Sequence, residues 1–166
     1  METIVIIGAG ASGLACMNEL VKTNKYNIIV LEQSNKAARK IIASGNGRCN
    51  VSNLNMDIKY YNHQDPLIEK LIKEFDVVNF FKQLSLKLRY EKNLVYPYSL
   101  SSLSVKNALM KNMDNVSYID NCEALAIKKA KTYEIVTTNG HYQADKIVIA
   151  TGSPASHLSG QNNLKM

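Results

Sequence analysis

Apolar residues cluster in short runs separated by glycine and polar turns. Thr3 to Ile7 is a β-branched run closed by Gly8, the pattern of a strand buried on both faces. Ala11 to Val21 follows, carrying Leu14, Ala15, Met17, Asn18 and Leu20 with good helix formers, which predicts a helix starting in a glycine turn. Asn27 to Leu31 reads as a second buried strand. Strand, helix and strand within about thirty residues make a βαβ unit, whose strands must be parallel. Further on, Asp65-Pro66 predicts a helix start, and Leu67, Ile68, Leu71, Ile72 and Phe75 recur at helical spacing. Val78, Phe80, Phe81 and Leu84 predict another helix after Asp76. Leu86 to Tyr90 and Leu94 to Tyr98 read as a hairpin, and Ser101 or Ser102 as the cap of a helix running through Met113. Val116 to Ile119 is expected to be a parallel strand. Ala124 to Lys128 and Thr132 to Thr138 alternate, Asn139-Gly140 is a hairpin turn, and Lys146 to Ala150 is one more buried strand. The fold class expected is α/β, Rossmann-like, with a parallel sheet, a β-meander and a small helix-hairpin cap.

Composition narrows this only at the margins. The 166 residues are 46% hydrophobic and 20% charged, which suits one globular domain and excludes disordered or collagen-like classes. No apolar run approaches the ~18 residues of a spanning helix, and Met1-Glu2-Thr3 is no basic leader, so the expectation is a cytoplasmic protein away from membranes. Cys16, Cys49 and Cys122 are odd in number and lack a Cys-x-x-Cys spacing, which argues for a reducing compartment and against a disulfide framework. His63, His141 and His157 are scattered, His141 in a predicted turn, and no metal site is expected. The formal charge of +6 is interleaved with acids, without the block that marks a nucleic-acid arm. One stretch differs. Between Glu32 and Asp57 stand Lys36, Arg39, Lys40 and Arg48 with no acid among them, a segment suited to phosphate.

The chemistry is concentrated in Gly8-Ala9-Gly10-Ala11-Ser12-Gly13, a complete G-x-G-x-x-G between a predicted strand and a predicted helix. Gly8 permits the tight turn, Gly10 lets a pyrophosphate approach the backbone, and Gly13 lets the helix lie close on the strand. The helix start then offers N–H groups and a positive dipole end to the anion. Glu32 ends the second strand, nineteen positions beyond Gly13. A carboxylate there accepts ribose hydroxyls and repels a 2′-phosphate, which points to FAD or NAD over NADP. The meander before a strand ending in Ala150-Thr151-Gly152 resembles the FAD-binding folds of the two-dinucleotide-domain type, and that resemblance implies FAD, whereas a plain NAD domain usually continues with further βα units.

Leu31-Glu32-Gln33-Ser34-Asn35-Lys36 and Arg39-Lys40-Ile41-Ile42-Ala43-Ser44-Gly45-Asn46-Gly47-Arg48-Cys49-Asn50, with Val51-Ser52-Asn53 and Tyr96-Pro97-Tyr98-Ser99, carry a sharper signal. The chain resembles the BaiN/RdsA-type NAD(P)/FAD-dependent oxidoreductases, the aminoacetone oxidase family, from Ile4 to Gly152. The resemblance implies an FAD site built from Gly8, Ala9, Gly10, Ala11, Ser12, Gly13, Glu32, Gln33, Arg39, Lys40, Ser44, Gly45, Gly47, Arg48, Cys49, Asn50, Ala150, Thr151 and Gly152. It implies NAD(P)H as electron donor and an acceptor such as a conjugated C=C bond in a small molecule or nucleobase. No residue is identified as the catalytic acid, and the oligomeric state is open.

The departures from the family pattern are Ala38 for a glycine, Asn46 for another, Ser153 for the second glycine of Ala-Thr-Gly-Gly, and Leu94 where arginine is frequent. By the same resemblance residues 1–166 are expected to form the N-terminal FAD-binding domain, with 53–100 as a cap-like insertion. The inserted β-rich domain and the C-terminal return of the family are not found before Met166, so the chain alone is expected to turn over poorly. A non-catalytic nucleotide-binding remnant and a plain NAD-binding dehydrogenase domain are the other readings.

Overall fold

The computed structural model describes residues 1–63 and 65–152. Ser153, His157 and Ser159-Gly160, singled out in the sequence, lie outside the described residues. In chain order the strands and helices are β1 (Glu2–Ile7), α1 (Ala11–Thr23), β2 (Tyr26–Leu31), α2 (Arg39–Ile42), β3 (Ser52–Asn53), α3 (Pro66–Glu74), α4 (Val77–Gln83), β4 (Leu88–Glu91), β5 (Leu94–Pro97), α5 (Ser102–Leu109), β6 (Ser117–Ile119), β7 (Ala124–Lys129), β8 (Tyr133–Thr137), β9 (Gly140–Ala144) and β10 (Lys146–Ile149). They fall into two compact units, one made of Met1–Lys40 with the chain from Leu109 onward, the other of Ile41–Ala108. Among the described residues no helix is long and apolar enough to cross a membrane.

The first unit is Rossmann-like. Its sheet has the order β10-β1-β2-β6 with every pair parallel, Ile4 lying opposite Lys146 on one side and Ile28 on the other. Side chains alternate across a strand, so Val5 and Ile7 face one way and Ile4 and Ile6 the other. The first pair joins Leu31, Cys122, Ile127, Ile135 and Ala144 in a core formed with the antiparallel meander β7-β8-β9. Helix α1 packs on β1 and β2 and buries Leu14 and Met17 completely. Both faces of β1 are thus covered, which is why its sequence does not alternate. The hairpin expected at Asn139-Gly140 is present, but its two turn residues are Thr138 and Asn139, because Gly140 already pairs with Thr137 as the first residue of β9. His141 lies in β9 opposite Val136, with Nδ1 2.8 Å from Glu134 Oε1, rather than in the turn expected for it.

The helix expected to run through Met113 stops at Leu109. Its reason lies far away in sequence. Asn18 is fully buried in α1, and its Nδ2 donates to the carbonyls of Leu14 (2.8 Å) and Leu109 (2.7 Å), while its Oδ1 accepts from Asn112 Nδ2 (2.8 Å). The Met113 N–H bonds to Met110 O instead of continuing the helix from Leu109. A buried amide with both ends satisfied fixes this junction, because leaving any of these groups unpaired would cost about 1–3 kcal/mol.

The second unit takes in the segment 53–100. Asp65 caps α3 by accepting from Leu67 N–H at 2.7 Å, with Pro66 at the first helical position, and Asp76 caps α4 by accepting from Asn79 N–H at 2.8 Å. The hairpin β4-β5 pairs antiparallel, and β3 adds to its β5 edge. Phe80, Phe81, Leu84, Leu86, Val95 and Val105 are buried, and the Phe80 and Phe81 rings meet edge to face at 5.2 Å.

Candidate functional site

Three segments of the first unit converge on the end of β1. At Gly8 the backbone turns with φ +107°, and its N–H donates to Leu31 O at 2.7 Å. A Cβ there would lie 2.6 Å from Ala150 O, so the end of β10 allows only glycine. Gly13 is tighter still. Its Cβ would lie 1.9 Å from Gly8 O, which lets α1 rest directly on the turn. Gly10 is the opposite case, since no atom of the described residues lies within 4 Å of a Cβ built on it. Gly10 is the N-cap of α1, and neither a capping side chain nor an acid covers the helix's first turn. The N–H groups of that turn have no intrahelical acceptor. Ala11 and Ser12 are exposed there, whereas Ala9 is fully buried.

Glu32 does more than the ribose role read from sequence. Its Oε2 accepts from Ala9 N–H at 2.9 Å, and its Oε1 accepts from Ser34 N–H at 3.0 Å and Ser34 Oγ at 2.8 Å. The carboxylate therefore ties the glycine turn to the end of β2. Ser34 was not identified from sequence, although a hydroxyl two residues beyond an acid at a strand end is a recognisable turn signal. Tyr118 on β6 is a second such neighbour. Burial, then the charges of Asp120 and Glu32, hold its phenol above the ordinary range, against a backbone hydrogen bond with Ala37 that lowers it. Gln33 is exposed.

Beyond Ser34 the chain crosses back over the turn, where Ala38 N–H donates to Ala9 O at 2.9 Å. Ala38 has φ +62°, so this departure from the family glycine sits where glycine costs least. An alanine there carries about 1–2 kcal/mol of strain. Arg39 and Lys40 follow, both exposed and without an ion-pair partner among the described residues. Lys40 Nζ lies 3.3 Å from where a Cβ on Gly152 would be, and Gly152 has φ +77°. Between Ala150, whose N–H donates to Ile7 O, and Gly152 stands Thr151, with a buried Oγ1 that has no hydrogen-bond partner among the described residues. Gly8–Gly13, Glu32, Arg39, Lys40 and Ala150–Gly152 thus meet in one unit.

The remaining predicted residues lie in the second unit. Gly45, Asn46, Gly47 and Cys49 all have left-handed backbone, φ +53°, +50°, +82° and +53°. Asn46, the other departure from the family glycine, is a residue that tolerates this conformation. Ser44 Oγ donates to Ile41 O at 2.6 Å, and Asn50 Oδ1 accepts from Ser52 N–H at 3.2 Å. Arg48 has local partners that its sequence neighbourhood lacks. Its Nη2 is 2.5 Å from Glu91 Oε2 and its guanidinium lies 4.6 Å from the Tyr96 ring centre, while its Nε is buried with no partner among the described residues.

The Glu32 geometry makes a prediction. Glu32→Gln replaces one acceptor oxygen by a donor and sets it against either Ala9 N–H or Ser34. Thermal unfolding is expected to show a loss of about 1–3 kcal/mol. Unchanged stability would mean that the carboxylate does not hold the turn.

The HI0933-like protein Rossmann domain family matches residues 2–165. Among curated proteins the chain is similar to a 3-dehydro-bile acid delta(4,6)-reductase of Clostridium scindens, 31% identical over 170 residues, which cover 98% of this chain and 42% of that protein. It is also similar to a ribosomal RNA dihydrouridine synthase of Escherichia coli, 29% identical over 156 residues, covering 89% of this chain and 38% of that one. The chain therefore spans less than half the length of these relatives. Among solved structures, glycine oxidase from Geobacillus kaustophilus superposes with a TM-score of 0.62 at 15% identity, over 96% of this chain and 58% of the oxidase, and shares its fold.

Proposed function

The chain belongs to the HI0933-like Rossmann domain family, and from that premise we propose that it binds FAD for a flavin-dependent reduction, with NAD(P)H as donor and a conjugated C=C bond as acceptor. The observation that carries the reading is the turn at Gly10. Its Cα faces open space at an uncapped helix start, while Gly8 and Gly13 on either side are packed against backbone. An anion approaching Gly10 meets the first-turn N–H groups and the positive end of α1. Arg39 and Lys40, without an ion-pair partner among the described residues, supply cations in the same unit, and the Thr151 hydroxyl, which has no partner among the described residues, offers one more polar group. Glu32, already held by Ala9 and Ser34, keeps acceptor capacity for a ribose hydroxyl and opposes a 2′-phosphate.

When bound, the flavin ring would supply the hydride chemistry, and the protein's share is binding, orientation and electrostatics. The acceptor class rests on the relatives' names: a delta(4,6)-reductase and a synthase of dihydrouridine are both served by hydride addition to a C=C bond. The test is titration of the purified chain with FAD, followed by flavin fluorescence and visible absorption. Saturable binding with one FAD per chain, undisturbed by equimolar NAD⁺, is the expected result. Displacement of FAD by NAD⁺, or no FAD binding, would overturn the proposal.

A further inference from the structure

The apolar residues of α3 share one side of the helix, and the fold uses only part of that side. At about 100° per residue, Ile68 and Ile72 lie close together, and Leu67, Leu71 and Phe75 form a separate stripe about 80° wide beside them. Ile68 and Ile72 are half-buried in the second unit, whereas Leu67, Leu71 and Phe75 are 63%, 56% and 45% exposed. No residue of α3 is buried, in contrast to α4, which sets Phe80 and Phe81 into the core. The stripe is nevertheless anchored, because the Phe75 ring rests on Phe80 with 5.7 Å between centres.

The spacing of the stripe is symmetric, and its charges follow the same symmetry. Leu67 and Phe75 lie about 6 Å either side of Leu71 along the helix axis. A second α3 laid antiparallel about a two-fold axis at Leu71 sets Leu71 on its own copy and Leu67 on Phe75 at both ends. The open flank of the stripe carries Lys70 and Glu74, whose side chains are each 65% exposed and whose charged atoms are 4.0 Å apart within the helix. The two-fold places this flank beside its copy with the direction reversed, so Lys70 of each chain stands next to Glu74 of the other. Parallel helices would instead set that flank against the side of Ile68 and Ile72, leaving both charges without a partner from the second helix. The closer pair Lys73–Glu69, at 2.6 Å, lies on the far side of α3 and takes no part.

We propose that α3 is a self-association face that takes a second copy of this chain in antiparallel register about Leu71. The complementary surface is one with the same apolar spacing and a flank of opposite charge order, and this chain supplies both. Three side chains from each copy bury well under the about 800 Å² per partner of a standard interface, so the pairing is weak and depends on concentration. It rests on residues of the second unit alone and is independent of the flavin reading.

The experiment is sedimentation velocity of the whole chain from about 1 μM to about 500 μM, a span that covers weak association. The parent chain is expected to pass from monomer to dimer. Leu71→Asp brings two carboxylates together on the axis and should weaken the dimer at least about 30-fold, as for a residue at the centre of an interface. Lys70→Glu and Glu74→Lys should each weaken it about 2- to 30-fold, because two exposed pairs are lost at once. An equimolar mixture of these two variants should recover the parent's association, since each chain supplies the charge the other lacks while the pair within each helix stays broken. The proposal is overturned if the parent chain stays monomeric over the whole range, which would leave the stripe to a partner of another sequence. It is equally overturned if Leu71→Asp dimerises like the parent, or if the mixture associates no better than either variant alone.

Discussion

Gly13→Ala is expected to cost about 3 kcal/mol or more, the upper end for overpacking. One methyl group is enough because its carbon would sit 1.9 Å from Gly8 O, and that atom is backbone that no rotamer change can move. Either α1 lifts from the sheet, exposing the fully buried Leu14 and Met17, or the Gly8 turn opens and loses its bond to Leu31 O. For a chain of this size each kcal/mol moves the melting temperature about 2–4 °C. A drop of about 6–12 °C in a circular-dichroism melt follows, with FAD added in excess restoring little of it. A melt within a degree of the parent chain would show that helix and turn are not packed as described.

Gly10→Val is expected to do the reverse. Its backbone, φ −85° and ψ −167°, is open to any residue, and no atom of the described residues lies within 4 Å of the new Cβ. Replacing a glycine N-cap by an apolar residue costs about 1 kcal/mol, so the fold should survive. The side chain nevertheless occupies the space in front of the helix start. If a pyrophosphate belongs there, losing two charge-assisted hydrogen bonds at about 1.5–3 kcal/mol each lowers FAD affinity at least about 100-fold. Parent-like affinity would move the phosphate elsewhere. Two glycines three residues apart thus separate stability from binding.

Sequence alone revealed the parallel unit because its signals are local. The apolar runs of β1 and β2 and the glycines between them each act within a few residues, as do the Asp65 and Asp76 caps of the second unit. What it did not reveal depends on residues distant in sequence. Asn18 ends α5 early by taking the carbonyl of Leu109, and nothing near position 109 announces it. Glu32 was legible as an acceptor at a strand end, whereas its bonds to Ala9 and Ser34 arise only once the turn is folded. The positions of Ala38 and Asn46 looked like erosion of a glycine pattern. Their positive φ values show that the backbone path calls for the left-handed region in both places. The absence of acids from 33–56 did not mean unpaired cations throughout, because Arg48 finds Glu91 across the hairpin.

The strand order β10-β1-β2-β6 has a bearing on how the molecule is made. β1 and β2 are adjacent in sequence, but the next neighbour of β2 begins at Ser117 and the outer neighbour of β1 at Lys146. Closing such long loops before any pairing is formed is entropically unfavourable, and folding that depends on distant contacts is slow. During synthesis the first βαβ unit leaves the ribosome with both sheet edges bare, and the whole second unit must be translated before either edge is covered. Thr3 marks the last step, since its N–H and carbonyl bond to Asp145 only when β10 arrives. The most buried strand of the protein is therefore also the one that waits longest for its final partner.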